Sequence, residues 1–174
     1  MKKLVLAILT AFQVTACTVV RFETPQPADV IALSDFPEEM RGVFISEDQD
    51  TLEINGHEFY FRNGEEIQVE GDLTTAETVL KEFRNYYILS LKEEEEWDVF
   101  PLKMRKGDIH LFFPTMASNA EELMEELKKT SPVKEISGAD GDFDHYLINP
   151  TSEEFRYLLR KNLFDEKIIF KRME

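Results

Sequence analysis

The chain has 174 residues, 43% of them hydrophobic and 14 of them Phe, which is too much apolar material for a disordered polymer. Its 20 basic and 35 acidic residues give a net charge of −15, so electrostatic binding to nucleic acid or to an anionic lipid surface through the folded surface is disfavoured. A single cysteine, Cys17, excludes an intramolecular disulfide.

Met1, Lys2 and Lys3 make a positive start, and Leu4 to Phe12 form an apolar run without charge. Charge followed by a short apolar core is the plan of a secretory signal. The run falls well short of the ~20 apolar residues of a membrane-spanning helix. The tetrapeptide Val14-Thr15-Ala16-Cys17 that follows resembles the lipobox of bacterial lipoproteins, in which an aliphatic and two small residues precede the modified cysteine. That resemblance covers the first 17 residues. It implies that Cys17 is the lipidation site, carrying diacylglyceryl and palmitate-type chains, that residues 1–16 are removed as a signal peptide, and that the mature protein is anchored by lipid to a membrane. One acyl chain holds a protein only marginally, at about 0.8 kcal/mol per buried methylene, whereas two or three anchor it durably. Thr18 stands where lipoproteins kept at the inner membrane often carry Asp, so the resemblance points to the outer membrane and its periplasmic face.

Without residues 1–16 the chain has 158 residues and a balance of 18 basic against 35 acidic groups, or −17. That length suits a single domain. Residues 17–35, with Pro25 and Pro27, read as a lipidated amino terminus and extended tether, because proline disfavours helix in the residue before it. Residues 36–174 read as one globular domain.

The first strand is expected around Arg41 to Phe44. Leu52 and Ile54, Phe59 and Phe61, then Ile67 and Val69 alternate with polar residues, as half-buried strands do. Asn55-Gly56 and Asn63-Gly64 lie between those runs and favour tight hairpin turns. Residues 75–84 fit helix or strand, and their place inside a meander favours strand. Tyr87, Leu89 and Leu91 alternate next, the glutamates 93–96 make a solvated turn, and Trp97 to Met104 returns. The pattern changes parity between Val99 and Phe100, which predicts a bulge or a strand covered on both faces. Lys106-Gly107-Asp108 turns into Ile109, Leu111 and Phe113.

After Pro114 the period becomes helical: Ala120, Leu123, Met124 and Leu127 share a face, with Ser118 and Glu121 at capping-box spacing. A strand is expected at His145 to Ile148. Thr151 and Glu154 then open a helix that turns Phe155, Leu158, Leu159 and Leu163 inwards, and a last strand runs from Glu166 to Arg172. The fold class is therefore α+β and mainly antiparallel β: about eight strands in a meander, followed by helix, strand, helix and strand. Sequential strands of this kind form either a twisted sheet or a barrel. Arg41-Gly42-Val43-Phe44 resembles the opening of lipocalin-like barrels, which implies binding of a small apolar ligand, although Phe44 stands where those barrels place tryptophan.

No catalytic residue, cofactor site or metal site is nominated. His57, His110 and His145 are far apart and no HExxH pair exists. Asp140, Asp142 and Asp144 alternate like the first ligands of a calcium loop, but His145 stands where the loop needs Gly and Thr151 where it needs Glu. A GxSxG elbow and glycine-rich phosphate loops are missing too. Trp97, Tyr86, Tyr87, Tyr60 and Phe112 fit a stacking surface or a core. Three functions stay open: a non-enzymatic envelope interaction or structural module, a lipocalin-like carrier of a small apolar ligand, and a hydrolase. Partners expected are the membrane, through Cys17, and envelope proteins, but no nucleic acid.

Overall fold

The structure, a computed structural model, describes residues 20–114 and 119–173. The signal segment, the lipobox with Cys17, and Ser118 of the expected capping box lie outside the described residues. The elements in chain order are β1 (Val20–Phe22), a 3-10 turn (Glu38–Met40), β2 (Gly42–Ile45), β3 (Thr51–Ile54), β4 (Glu58–Asn63), β5 (Glu66–Asp72) and β6 (Thr78–Phe83). They continue with β7 (Tyr86–Glu93), β8 (Glu96–Arg105), β9 (Asp108–Phe113), α1 (Asn119–Leu127), β10 (Val133–Ser137), β11 (Phe143–Ile148), α2 (Ser152–Arg160) and β12 (Glu166–Arg172). Residues 75–84 contribute a strand and not a helix: Lys81 pairs with Ile88 in a regular β6–β7 ladder.

The eight strands β2 to β9 are those the alternation predicts, but they form two four-stranded meanders. β2 to β5 pair in sequence, β6 to β9 pair in sequence, and β5 does not pair with β6. The carboxy-terminal strand β12 joins the halves by lying between β9 and β2. The result is an open sheet whose path ends at β10 and β5, so of the two expected forms it takes the twisted sheet and not a closed barrel. At the β8–β9 hairpin Lys106 and Gly107 both take positive φ, 55° and 89°, the conformation of a primed two-residue turn.

The parity change in β8 has a simple cause. Its ladder with β7 runs without interruption from Leu102 opposite Tyr87 to Glu96 opposite Glu93, so there is no bulge. Instead both faces are covered. Trp97 and Val99 join a core under α1 and α2, built from Phe22, Met124, Phe155 and Leu158 among others. Leu102 and the partly buried Phe100 point the other way, into a second core inside the curl of the sheet, where Phe36, Phe44, Phe59 and Phe170 meet. A strand that serves two cores must carry apolar residues at both parities.

Two expectations are corrected. The first is that residues 17–35 form a tether and order begins near Phe36. Val20 and Phe22 are fully buried, and β1 fills the space between β8, where Phe22 faces Trp97, and β11, where it runs parallel with Val20 opposite Tyr146. The chain then crosses β6 and β7 as a strap. The Lys81 ammonium donates to the carbonyls of Pro25 at 2.9 Å and Pro27 at 2.7 Å, the Gln26 N–H donates to Ser90 Oγ at 3.2 Å, and the Leu33 N–H donates to Leu80 O at 2.8 Å. Three residues are too few to display a period, and prolines that suit an extended tether suit an extended strap equally well.

The second correction is a strand unforeseen in the sequence. Between the helices stands a hairpin, β10 with β11, where one strand is expected. In Val133-Lys134-Glu135-Ile136-Ser137 the apolar residues are three apart, so no alternation announces the strand; pairing with β11 creates it. The Thr151 capping box is formed in full, with the Thr151 side chain accepting from the Glu154 N–H and the Glu154 carboxylate accepting from the Thr151 N–H. Glu154 also accepts from Ser131 Oγ at 2.7 Å, and the Tyr157 hydroxyl donates to Glu126 of α1, so the two helices are tied together.

Candidate functional site

A set of ionisable groups gathered around the buried His145 lies where β1, β8 and β11 meet. Because Val20 and Phe22 face the helices, Arg21 between them faces the opposite side of the sheet, as strand geometry requires. There its guanidinium stands 3.6 Å from Glu96 and 3.4 Å from Asp98 on β8. His145, 4% exposed on β11, places Nε2 at 2.8 Å from the Glu96 carboxylate and Nδ1 at 2.7 Å from Asp144. Three carboxylates thus share two basic side chains. Both ring nitrogens of His145 are occupied by carboxylates, one from β8 and one from its own chain neighbour.

Burial pushes the Asp98 carboxyl above its ordinary value of 3.8, with Glu93 and Glu96 adding to the rise; Arg21 and His145 pull it down without cancelling the effect. The sign of the linkage follows. A carboxyl raised in the fold takes up a proton more readily folded than unfolded, so its contribution falls as pH climbs from 3.8 through the raised value. Asp98→Asn is expected to flatten that part of the stability profile, read from urea midpoints at a series of acidic pH values. An unchanged slope in the variant would show that Asp98 does not titrate in that window.

A second feature is an open groove of about 340 Å³ between the β4–β5 hairpin and the β6–β7 hairpin, lined by Glu58, Tyr60, Glu70, Asp72 and Glu77 with Lys92. A neighbouring depression of about 310 Å³ shares Glu58 and Asp72 and is lined also by His57 and Thr74. The Asp72 carboxylate is committed locally, accepting from the Thr74 N–H at 2.8 Å and its hydroxyl at 2.7 Å, which holds its carboxyl below the ordinary range. Among the described residues no three His, Cys, Asp or Glu side chains converge as metal ligands.

The residues singled out in the sequence are dispersed. His57 is exposed, with Nδ1 3.3 Å from Asp35. His110 lies on β9, its ring pushed below the usual histidine value by burial and by Arg105, Lys167 and Lys103. Asp140 accepts from the Asp142 N–H at 3.1 Å within the turn that leads into β11, while Asp144 is engaged by His145. Trp97 is in the helix-side core, Tyr86 packs edge-on against Phe112 with ring centroids 6.1 Å apart, and the Tyr87 hydroxyl donates to Glu39 at 2.9 Å. Of the five aromatics only Tyr60 lines the groove, so no common stacking surface forms. The Arg21, Glu96, Asp98 and His145 grouping was not legible in advance. Glu96 belongs to a run that looks like a solvated turn, and Arg21 is 124 positions from His145.

Fold and site together define a class: a mainly antiparallel α+β domain, an open sheet with two helices on one side and a half-buried ionic cluster at the junction of three strands. Comparison with protein-family models, with curated proteins and with solved structures finds no match in any of the three.

Proposed function

We propose that the chain is an envelope lipoprotein held to the membrane by lipid on Cys17, and that its folded domain is a non-enzymatic interaction or structural module. The observation that carries this reading is the order of residues at the amino terminus: Lys2-Lys3, the apolar Leu4 to Phe12, then Val14-Thr15-Ala16-Cys17. Among the described residues no helix is long and apolar enough to cross a membrane. The −17 charge after removal of residues 1–16 suits a surface that stays in water while the lipid alone enters the bilayer. By the same resemblance the protein resides at the outer membrane and faces the periplasm, with other envelope proteins as its partners.

The interaction-module reading is preferred over the two alternatives on positive grounds. The space inside the curved half of the sheet, where a lipocalin-like carrier would hold its ligand, is filled by Phe36, Phe44, Phe59 and Phe170. The most buried histidine is held between two carboxylates.

The test is metabolic labelling with palmitate together with detergent phase partitioning. The parent chain is expected to take up label and enter the detergent phase, and Cys17→Ser to lose both. Equal partitioning of parent and variant, or no label on the parent, would overturn the reading. Affinity capture from native envelopes then addresses the partner.

A further inference from the structure

The lipid anchor proposed above leaves little slack. Cys17 precedes the fully buried Val20 by three residues, and three residues span at most about 11 Å. A bilayer that holds acyl chains on Cys17 must therefore lie close against the surface from which β1 enters the sheet. β11 runs parallel beside β1, with Val20 opposite Tyr146, so the residues of β11 that precede Tyr146 lie on the side from which the chain arrives. The first of them is Phe143. The residue is 50% exposed and its ring leans on Tyr146 with centroids 4.8 Å apart, a large apolar group supported on one side and open to water.

We propose, resting on the Cys17 reading, that Phe143 inserts into the headgroup layer of the bilayer and fixes how the domain sits on the membrane. An aromatic ring at this depth gains apolar contact without crossing the interface. The exposed Asp140, Asp142 and Asp144 on the approach to β11 set the lipid class. They repel an anionic surface, so the contact is with zwitterionic headgroups.

The experiment uses the acylated full chain, in which Cys17 is blocked by its lipid. Phe143→Cys, and Ile31→Cys as a control at a side chain 89% exposed, each carry an environment-sensitive fluorophore in phosphatidylcholine vesicles containing spin-labelled lipid. Quenching is expected to be several-fold stronger at position 143 than at position 31, and to weaken when phosphatidylglycerol is added. Equal quenching at both positions, or none at 143, would overturn the proposal while the palmitate label still stood. Quenching that grows with anionic lipid would overturn the assignment to zwitterionic headgroups. Loss of the palmitate label would instead remove the anchor reading on which the proposal rests.

Discussion

Replacing Phe22 by alanine is expected to lower the free energy of unfolding by about 3–5 kcal/mol, the range for removing a large aromatic from a packed core. The ring is fully buried and packs on two others, Phe155 of α2 edge-on at 6.0 Å and Phe164 stacked at 6.5 Å, while its backbone pairs with Trp97 on β8. Phe155 and Phe164 also pack on each other at 6.0 Å, so a void at Phe22 opens the centre of the helix-side core and not its rim. Collapse is hindered because β1 is held by β8 on one side and β11 on the other. Urea denaturation of the Cys17→Ser chain, with and without the substitution, measures the effect. A change below ~0.5 kcal/mol, the usual size for a surface site, would mean that this segment is a tether after all.

Lys81→Met carries the second large expectation, a loss on the order of 2–3 kcal/mol. Lys81 is 7% exposed, and burial draws its amine below the usual lysine value, so the charge is retained there at a cost. What offsets that cost is the pair of charge-assisted bonds to the carbonyls of Pro25 and Pro27. Bonds to a charged donor contribute about 1.5–3 kcal/mol each before desolvation is subtracted. Methionine keeps the length and the apolar contacts of the stem but offers no donor, leaving both carbonyls without this partner. Hydrogen exchange localises the effect: the Gln26 and Leu33 amides, which bond to Ser90 and Leu80, are expected to lose protection before those of the β8–β9 hairpin. Uniform loss across the sheet would show that Lys81 supports the whole core and not the strap.

The two substitutions probe the same point from opposite ends. Phe22 tests whether β1 belongs to the core; Lys81 tests whether the strap is fastened to β6 and β7. If both hold, the described chain enters the fold at β1, a strand held between β8 and β11.

Most of the local structure was legible because its causes are local. Leu52 and Ile54, or Leu89 and Leu91, need only their own neighbours to declare a half-buried strand. Lys106-Gly107 places its turn by its own backbone preference, Gly64 does so one residue later than the Asn63-Gly64 pair predicts, in the turn Gly64-Glu65, and Thr151 with Glu154 closes a capping box within one helical turn. The two-sided burial of β8 was present as a parity change at Val99 and Phe100, although two explanations fitted it until the uninterrupted ladder with β7 was seen.

The sequence by itself determined the eight strands β2 to β9, the two helices, the α+β class and the acidic charge. The tertiary structure alone decided that β5 and β6 part, that β12 stitches the two meanders together, that Val20 to Phe22 and Val133 to Ser137 are strands, and that Arg21, Glu96, Asp98 and His145 meet. The reason is physical. Periodicity and turn chemistry act over a few residues, whereas pairing is a hydrogen-bond contract between edges brought together from anywhere in the chain. A three-residue strand such as β1 has no period of its own, and it exists because β8 and β11 present it with two open edges.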